Sequence, residues 1–268
     1  MTTREPFTHD SSRTELGSRM LARSTSEGAY SLRLAKTAED VRAAQTLRFL
    51  VFNLELNEGL ESSFATLRDE DPFDSVCDHL LVEHKGTGEI VGTYRLQSGR
   101  VARSHLGFYS AQEFDFSPYA RVQDQIIELG RACVHRDHRS LPVIGLLWQG
   151  ISNYACSHNA RYLVGCSSLT SQDSAEGAAA YHELARHHLV EPEFQTLPLL
   201  SVACRLDLIA KPAPKIPKLL RAYLSFGAKI CGAPAIDREF KTIDFLTWMD
   251  LENLPSHTRR ILGREISS

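Results

Sequence analysis

The order of strand-like and helix-like segments along the chain constrains its fold more than any other feature. Residues 125–134, with the sequence QIIELGRACV, are apolar enough to form a buried central strand. After a basic turn at 135–139, apolar residues recur at helical spacing over about 143–158, which predicts an amphipathic helix. A chain that alternates in this way folds into a sheet with helices packed against it.

The remaining segments continue this alternation. Strands are predicted at 29–34, 79–83, 89–96, 162–167 and 199–208, and helices at about 37–54, 175–188 and 218–231. Thr37, followed three residues later by Asp40, is a capping pair for the first helix. Residues 85–88, KGTG, join two strands as a hairpin, so the sheet is mixed rather than purely parallel. The expected fold class is α/β (α+β), a mixed sheet flanked by helices, with a C-terminal helical extension.

Composition divides the chain into three parts. Residues 1–28 are rich in Ser, Thr, Arg and Glu and predict a mobile tail. Residues 29–210 contain the predicted sheet and form the core domain. Three prolines, at 212, 214 and 217, mark a boundary. Residues 211–268 are therefore predicted to be a basic, amphipathic helical extension packed on the core.

Composition also excludes several classes of protein. The 30 basic and 33 acidic side chains give a net charge of −3, which excludes a cationic nucleic-acid coat. No apolar run approaches the roughly 20 residues that span a bilayer, and the first residues lack the apolar stretch of a secretory signal. The six cysteines include no CxxC pair, so reduced thiols are expected. These features predict a cytoplasmic protein that does not bind nucleic acid.

The charges are unevenly distributed along the chain. Residues 55–78 contain eight acids and one base, whereas residues 211–229 contain five bases and no acid. One interpretation is two ordinary solvated faces. The other is a protein with two partners, in which the acidic segment attracts an amine substrate. The basic segment then docks an acidic protein or makes a peripheral contact with the anionic inner membrane.

Glu128 is the leading candidate for a catalytic base. It lies on the predicted central strand between two apolar residues, so strand alternation directs its side chain to the opposite face. Burial raises the pKa of a carboxyl group, which suits proton acceptance near neutrality. The alternative is a structural ion pair with Arg95 or Arg131. Arg131 shares the face of Glu128 only if a bulge at Gly130 resets the alternation.

A series of ordered segments resembles one family of enzymes. The segments are RFLVF at 48–52, DPFD at 71–74, CDHL at 77–80, GTYRL at 92–96, ELGR at 128–131, CVH at 133–135, LLWQGI at 146–151 and PAID at 234–237. This series resembles the ornithine-lipid N-acyltransferases, a hemolysin-like branch of the Gcn5-related N-acyltransferase superfamily. It is also similar to the acyl-homoserine-lactone synthases and the N-acyl amino acid synthases. The resemblance covers about residues 30–255.

The resemblance implies a reaction and its partners. It implies transfer of a long-chain (3-hydroxy)fatty acyl group from acyl carrier protein to the α-amine of an amino acid, with ornithine expected and lyso-ornithine lipid as the product. Acylation of glycine or another amine, acyl-homoserine-lactone synthesis, and a non-catalytic acyl-carrier or lipid-binding module are the alternatives. No cofactor is implied beyond the acyl-phosphopantetheine donor, as carrier protein or coenzyme A.

The resemblance also implies roles for individual residues. Glu128 and Arg131 are the catalytic candidates, with Glu128 as general base. Substrate-binding candidates form a charge network around the amine site; they are Arg48, Asp71, Asp74 and Arg95. Ser167 is added because it follows a predicted buried strand, from which its hydroxyl is expected to face the thioester. Packing or capping is the alternative role for this serine.

The donor phosphate is expected at the N-terminus of the helix that follows the basic turn, where backbone N–H groups are free. The glycine-rich phosphate loop of the superfamily is reduced here to Gly145, which suits a donor held by its acyl chain or carrier protein. Val134, His135, Arg139 and Gly145 are the donor-binding candidates, and the alternative for the basic turn is an ordinary solvated turn. No metal site is expected, because His135 and His138 lack a third ligand.

Overall fold

A computed structural model of the chain describes residues 26–262, apart from 209, 211 and 213. Most of the predicted tail at 1–28 therefore lies outside the described residues. The last residues of that segment differ from the prediction, because Ser26–Glu27 form a short strand that pairs with the next one. None of the described helices is long and apolar enough to cross a membrane.

The described residues form one mixed sheet. Its strands are β1 Ser26–Glu27, β2 Tyr30–Leu34, β3 Asp78–His84, β4 Glu89–Ser98, β5 Ile126–Val134, β6 Tyr162–Leu169, β7 Lys229–Ile230, β8 Ala235–Asp237 and β9 Thr242–Asp250. They are ordered β1-β2-β3-β4-β5-β6-β9-β7, with β8 also paired to β9. All pairs are antiparallel except β5 with β6. The mixed sheet flanked by helices is confirmed.

Helices cover both faces of this sheet. They are α1 Ala38–Phe49, α2 Ser63–Thr66, α3 Gly99–Ser104, α4 Leu141–Ser157, α5 Ser174–His188, α6 Lys218–Ser225 and α7 Ser256–Ile261. Helix α1 continues as a π-helix, Leu50–Glu55, and packs on one face through Leu47 and Val51 against Cys133 of β5. Helices α4, α5 and α6 pack on the other face. We call these the α1 face and the α4 face.

The start of α1 confirms a prediction made from local sequence. The Thr37 hydroxyl accepts a hydrogen bond from the Asp40 N–H at 3.2 Å, and the Asp40 carboxylate accepts one from the Thr37 N–H at 3.2 Å. Each side chain satisfies a backbone donor that has no partner within the helix. A cap of this kind depends only on neighbouring residues, so it can be read from sequence.

The predicted strand at 199–208 is wrong. Its place beside β6 belongs to β9, which pairs with β6 from Tyr162 opposite Asp250 to Leu169 opposite Ile243. Strand β9 is buried along almost its whole length, whereas Leu200 is 98% exposed. The segment that buries more apolar surface therefore completes the sheet.

The predicted C-terminal helical extension is wrong for residues 229–250, for the same reason. The helix expected over 218–231 ends at Ser225, and Lys229–Ile230 is already strand β7. Strands β7, β8 and β9 belong to the central sheet rather than to an extension packed upon it. The basic residue Lys211 lies outside the described residues.

The parallel pair β5 and β6 opens into a split. Ladder pairing joins Ile126–Glu128 to residues 162–164, and the described residues beyond these form no further ladder pair between the two strands, a stretch that we call the split. At the start of the split, a Cβ placed on Gly165 would lie 2.3 Å from the carbonyl oxygen of Leu129. Glycine at this position therefore sets how closely the two strands approach.

Replacing Gly165 with alanine is expected to lower the free energy of unfolding by about 1–3 kcal/mol, because backbone must move to admit the methyl group. Urea denaturation measures the change. Gly145 in α4 is the matched control, since a Cβ there meets nothing within 4 Å. Its alanine variant is expected to keep or gain stability, as alanine favours a helix over glycine by about 1 kcal/mol. Equal stability of the Gly165 variant and the parent would contradict the prediction.

Candidate active site

Glu128 lies at the start of the split and is bound by backbone amides. Its side chain is on the α1 face and is 4% exposed. The Tyr109 N–H donates to Oε2 at 2.7 Å and the Ser110 N–H donates to Oε1 at 2.8 Å. These amides belong to the first turn of the 3₁₀-helix Tyr109–Gln112. Among the described residues, the hydrogen bonds of Glu128 come from these amides and from the Ser110 side chain rather than from Arg95 or Arg131.

Two opposing effects set the acidity of Glu128. Burial raises the pKa of the carboxyl group, since it disfavours the ionised form, while the Ser110 and Tyr109 groups favour that form and counteract the rise. The net pKa is raised, in the direction that sequence analysis predicts. A buried carboxylate with fixed orientation and raised pKa can accept a proton from a bound amine.

A bulge brings Arg131 to the same face as Glu128. Thr93 pairs with Cys133 and Arg95 with Gly130, so β5 has one more residue than β4 between these pairs. Arg131 adopts a left-handed backbone conformation at φ 49°. The bulge proposed next to Gly130 is therefore confirmed, and it resets the alternation of side chains.

Three arginines and three aspartates form a closed ring on the α1 face. Arg48 contacts Asp69 at 2.9 Å and Asp74 at 2.6 Å. Arg95 contacts Asp74 at 3.0 Å and Asp71 at 2.6 Å. Arg131 closes the ring, at 2.9 Å from Asp71 and 3.3 Å from Asp69. We call these six side chains the charge ring.

The charge ring is buried and has no net charge. Burial by itself would raise the pKa of Asp74, but Arg48 and Arg95 outweigh this effect and hold it well below its ordinary value. The acids of the ring are thus matched by arginines. A cation that enters the site meets a neutral network here, and the expected contact of Asp71 or Asp74 with substrate stays a prediction.

The charge ring also positions the 3₁₀-helix that binds Glu128. The guanidinium of Arg131 lies 4.6 Å from the ring centre of Tyr109, and that of Arg95 lies 5.2 Å from it. Arg131 also donates to the Tyr109 hydroxyl at 3.3 Å. Tyr109 is thereby held with its backbone N–H directed at Glu128.

Sequence analysis missed Asp69, which is fully buried within the charge ring. Asp69 belongs to the acid-rich run at 55–78, but nothing in that run distinguishes buried acids from exposed ones. Other acids in the run also have partners: Glu55 binds Arg139 and Glu58 binds Thr170. The run is therefore largely an internal set of ion pairs and hydrogen bonds.

Ser167 lies away from the Glu128 carboxylate. Its side chain is buried on the α4 face, and its hydroxyl is 3.3 Å from that of Thr247 on β9. The neighbouring residue Cys166 points to the α1 face, where its thiol donates to the Ser110 hydroxyl at 3.4 Å. The structure thus brings Cys166, rather than Ser167, next to the amides that hold Glu128.

The donor-binding candidates lie at the far end of β5 and the start of α4. The Val134 carbonyl accepts from Nε of Arg139 at 3.1 Å. The two terminal nitrogens of Arg139 donate to Glu55 at 2.6 and 2.7 Å, which balances its charge. The ring of His135 lies 5.7 Å from that of His138. Open space lies over Gly145.

A second acidic group on the α1 face was not predicted from sequence. Ligand atoms of Glu113, Cys166 and Asp244 all lie within 4.8 Å of one another. Among the described residues, this group of three, rather than the histidines, has the side chains and spacing to hold an ion. We call it the acid pocket. Glu113 carries no sequence signal, and Asp244 lies in a segment for which the sequence predicts a helical extension.

Known proteins resemble this chain in sequence and in fold. The family described as acetyltransferase (GNAT) domain matches residues 47–149. The L-ornithine N(alpha)-acyltransferase of Brucella abortus is 34% identical over 256 residues, covering 89% of this chain and 90% of the relative. That of Agrobacterium fabrum is 32% identical over 255 residues, covering 90% and 85%. The structure of FeeM, an N-acyl amino acid synthase from uncultured soil microbes, has a TM-score of 0.51 at 10% identity, covering 84% of this chain and 91% of that one.

Proposed function

The chain belongs to the family of L-ornithine N(alpha)-acyltransferases, and on this premise we propose that it transfers a long-chain (3-hydroxy)fatty acyl group from acyl carrier protein to the α-amine of ornithine. The product is lyso-ornithine lipid. The chain is an acyltransferase, which sets aside the non-catalytic binding module. The observation that carries the proposal is the buried Glu128 carboxylate at the opening between β5 and β6.

The first chemical step needs a neutral amine. An amino acid in water carries a protonated α-amine, which cannot attack a thioester. Glu128 accepts that proton, directly or through a water molecule, because burial raises its pKa and two amides fix its oxygens. The neutral nitrogen then attacks the thioester carbonyl and forms the tetrahedral intermediate.

The second step expels the phosphopantetheine thiolate and leaves an amide. The split between β5 and β6 is the proposed place for the thioester, since ladder pairing ends at Glu128. Beyond that point the edge of β5 that faces β6 lies outside the ladder, so its N–H groups can donate to the developing oxyanion. Collapse of the intermediate breaks the carbon–sulfur bond, and the second proton that the nitrogen loses as the amide forms passes to the departing thiolate.

The carrier protein is proposed to dock on α6. This helix packs inward through Leu220 and Leu224, and Tyr223 contacts Trp148 of α4. Lys218 and Arg221 are exposed on it, with no acid between them. An exposed cationic surface beside α4 complements the acidic surface of an acyl carrier protein.

Reversing two charges on α6, by Lys218→Glu with Arg221→Glu, is expected to raise KM for acyl carrier protein at least tenfold at low salt. The effect should shrink as ionic strength rises, because exposed charges are screened. The acyl-coenzyme A of the same chain length is the matched donor, and its KM should change little. Equal changes of KM for both donors would contradict docking on α6. If the variant instead lost its binding to anionic lipid vesicles while KM for the carrier protein stayed unchanged, these charges would be assigned to contact with an anionic membrane.

Thiol release from 3-hydroxypalmitoyl carrier protein tests the function itself. Purified protein receives each amino acid in turn, and release should depend on ornithine. Release that depends on glycine or another amine would keep the chemistry and change the product. No release with any amine, together with intact donor binding, would overturn the proposal.

A further inference from the structure

The carboxyl groups of the acid pocket are buried, and one of their oxygens lacks a hydrogen-bond partner among the described residues. Glu113 is 7% exposed and Asp244 is 5% exposed. Asp244 accepts hydrogen bonds from the Thr242 hydroxyl at 2.9 Å and from the Ser168 side chain. Oε2 of Glu113 is buried and lacks a hydrogen-bond partner among the described residues. A buried carboxylate oxygen without a donor is costly, so the pocket as it stands is suited to a ligand that brings one.

Electrostatics indicate which kind of ligand the pocket suits. Burial raises the pKa of Glu113 and the nearby charge of Asp244 raises it further, while burial likewise raises the pKa of Asp244. Five ionisable side chains face Glu113 from β5, β6, β8 and β9: Glu128, Arg131, Cys166, Asp237 and Asp244. Arg131 is the one cation in this set, and it already belongs to the charge ring. A second cation would relieve the repulsion between the two carboxyls.

The acid pocket lies beside an exposed residue and is linked to the proposed base through Ser110. Glu113 and Asp244 are buried, but Cys166 is half-buried and Ser168, opposite Asp244, is exposed. Ser110 links the two sites, because its N–H donates to Glu128 and its hydroxyl accepts from Cys166. Because Ser110 contacts a member of each site, a short-chain substrate with an amine at each end is the class of ligand that suits both.

We propose that the acid pocket of Glu113 and Asp244 binds the side-chain ammonium of ornithine while its α-amine lies at Glu128. This inference rests on the proposed function and explains how the enzyme selects ornithine over amino acids that lack a side-chain amine. The ammonium donates to Oε2 of Glu113 and to the Asp244 carboxylate, and the four-carbon chain of ornithine passes Cys166. The acidic run at 55–78 is not needed for this selection, because the acids of the charge ring are already paired.

A diffusible metal ion fits the pocket less well than an ammonium group. Metals bind the thiolate form of cysteine. Burial raises the pKa of Cys166 well above its ordinary value, and its thiol donates a hydrogen bond to Ser110. A protonated thiol packs against the methylene groups of a substrate as a small apolar side chain does.

The test compares ornithine with norvaline, which has the same carbon chain and no side-chain amine. Glu113→Gln is the variant, since glutamine keeps the size of the side chain and removes its charge. The ratio of kcat/KM for ornithine to that for norvaline is expected to fall at least tenfold. Glu239→Gln changes an exposed acid on the adjoining turn and is the matched control, with an unchanged ratio.

Calorimetry supplies a readout that does not need turnover. The affinity of the wild-type protein for ornithine is expected to exceed that for norvaline at least tenfold, and Glu113→Gln should bring the two affinities together. Asp244→Asn is a second variant, which retains an acceptor for Thr242 and should reduce the same preference. Thermal melting checks that each variant folds.

Different experimental results would overturn the proposed function and the proposed role of the acid pocket. Ornithine turnover by the wild type with an unchanged preference in both variants would overturn the role of the acid pocket alone. No ornithine turnover, with a binding preference that Glu113→Gln abolishes, would overturn the proposed function and retain the pocket. Zinc or manganese bound at the pocket, and removal by chelator of both the metal and the ornithine preference, would overturn the ammonium assignment.

Discussion

Replacing Glu128 with glutamine is expected to lower kcat by about 100- to 10,000-fold, the contribution of a positioned general base. Glutamine has nearly the same shape but cannot accept a proton from the attacking amine. The affinity for the acyl donor should be retained, because the Glu128 oxygens are bound by amides of Tyr109 and Ser110 rather than by the donor candidates. Single-turnover acyl transfer with ornithine measures the chemical step.

The pH dependence gives an independent check of this role. Glu128 must be ionised to act as a base, so kcat/KM is expected to fall as pH decreases through its raised pKa. The glutamine variant should not show this decrease of kcat/KM at low pH. Glu183→Gln changes an exposed residue on α5 and is the control, which should retain both the kcat of the parent and its decrease of kcat/KM at low pH. A Glu128 variant that folds, binds donor and keeps its turnover would exclude Glu128 as the base.

Replacing Asp74 with asparagine is expected to lower the free energy of unfolding by about 3–5 kcal/mol, the typical effect of breaking a buried ion pair. Asp74 joins two arginines of the charge ring, Arg48 at 2.6 Å and Arg95 at 3.0 Å. Its loss leaves excess positive charge in the interior. The melting temperature should fall by roughly 10 °C in a protein of this size.

The control for Asp74 is an exposed ion pair. Asp207 contacts Arg205 at 2.5 Å with both side chains largely exposed, so Asp207→Asn should leave the melting temperature unchanged. A loss of similar size in both variants would show that burial of the charge ring is not the cause. Unchanged stability of the Asp74 variant would exclude a structural role for the ring.

The charge ring also predicts the sign of acid sensitivity. The arginines hold the pKa of Asp74 below its ordinary value in the folded protein. Stability from this group is therefore fully present above about pH 4, the pKa of an aspartate in an unfolded chain, and is lost as pH falls below it. Melting curves from pH 7 down to pH 3 should show a steeper loss for the parent than for Asp74→Asn, which has no such group to protonate.

Prediction from sequence succeeded where the signal lies in neighbouring residues. The Thr37 cap, the hairpin between β3 and β4 and the placement of Glu128 all follow from spacing within a few residues. Sequence alone did not decide whether β5 has a bulge at Arg131. Without a bulge, strand alternation places the Arg131 side chain on the face opposite to Glu128. The family resemblance identified the arginines of the charge ring as site residues, and the structure shows which aspartates each arginine contacts.

Prediction failed where two segments compete for one place. Residues 199–208 and 242–250 both carry apolar residues, and of these two segments it is 242–250, as β9, that pairs with β6. The acidic run shows the same limit, because its composition suggests an exposed surface that attracts amines. In the folded chain Asp69, Asp71 and Asp74 are buried against arginines that would otherwise be unpaired.

The amino-acid sequence by itself determined the local elements of this protein, the central strand with its glutamate and the family to which the chain belongs. Only the tertiary structure decided which backbone amides hold Glu128, which acids pair with arginine and which acids remain for a substrate. Glu113 and Asp244 are far apart in the chain and meet through the packing of a loop on the sheet. Such contacts depend on the register of whole strands, which no short stretch of sequence specifies.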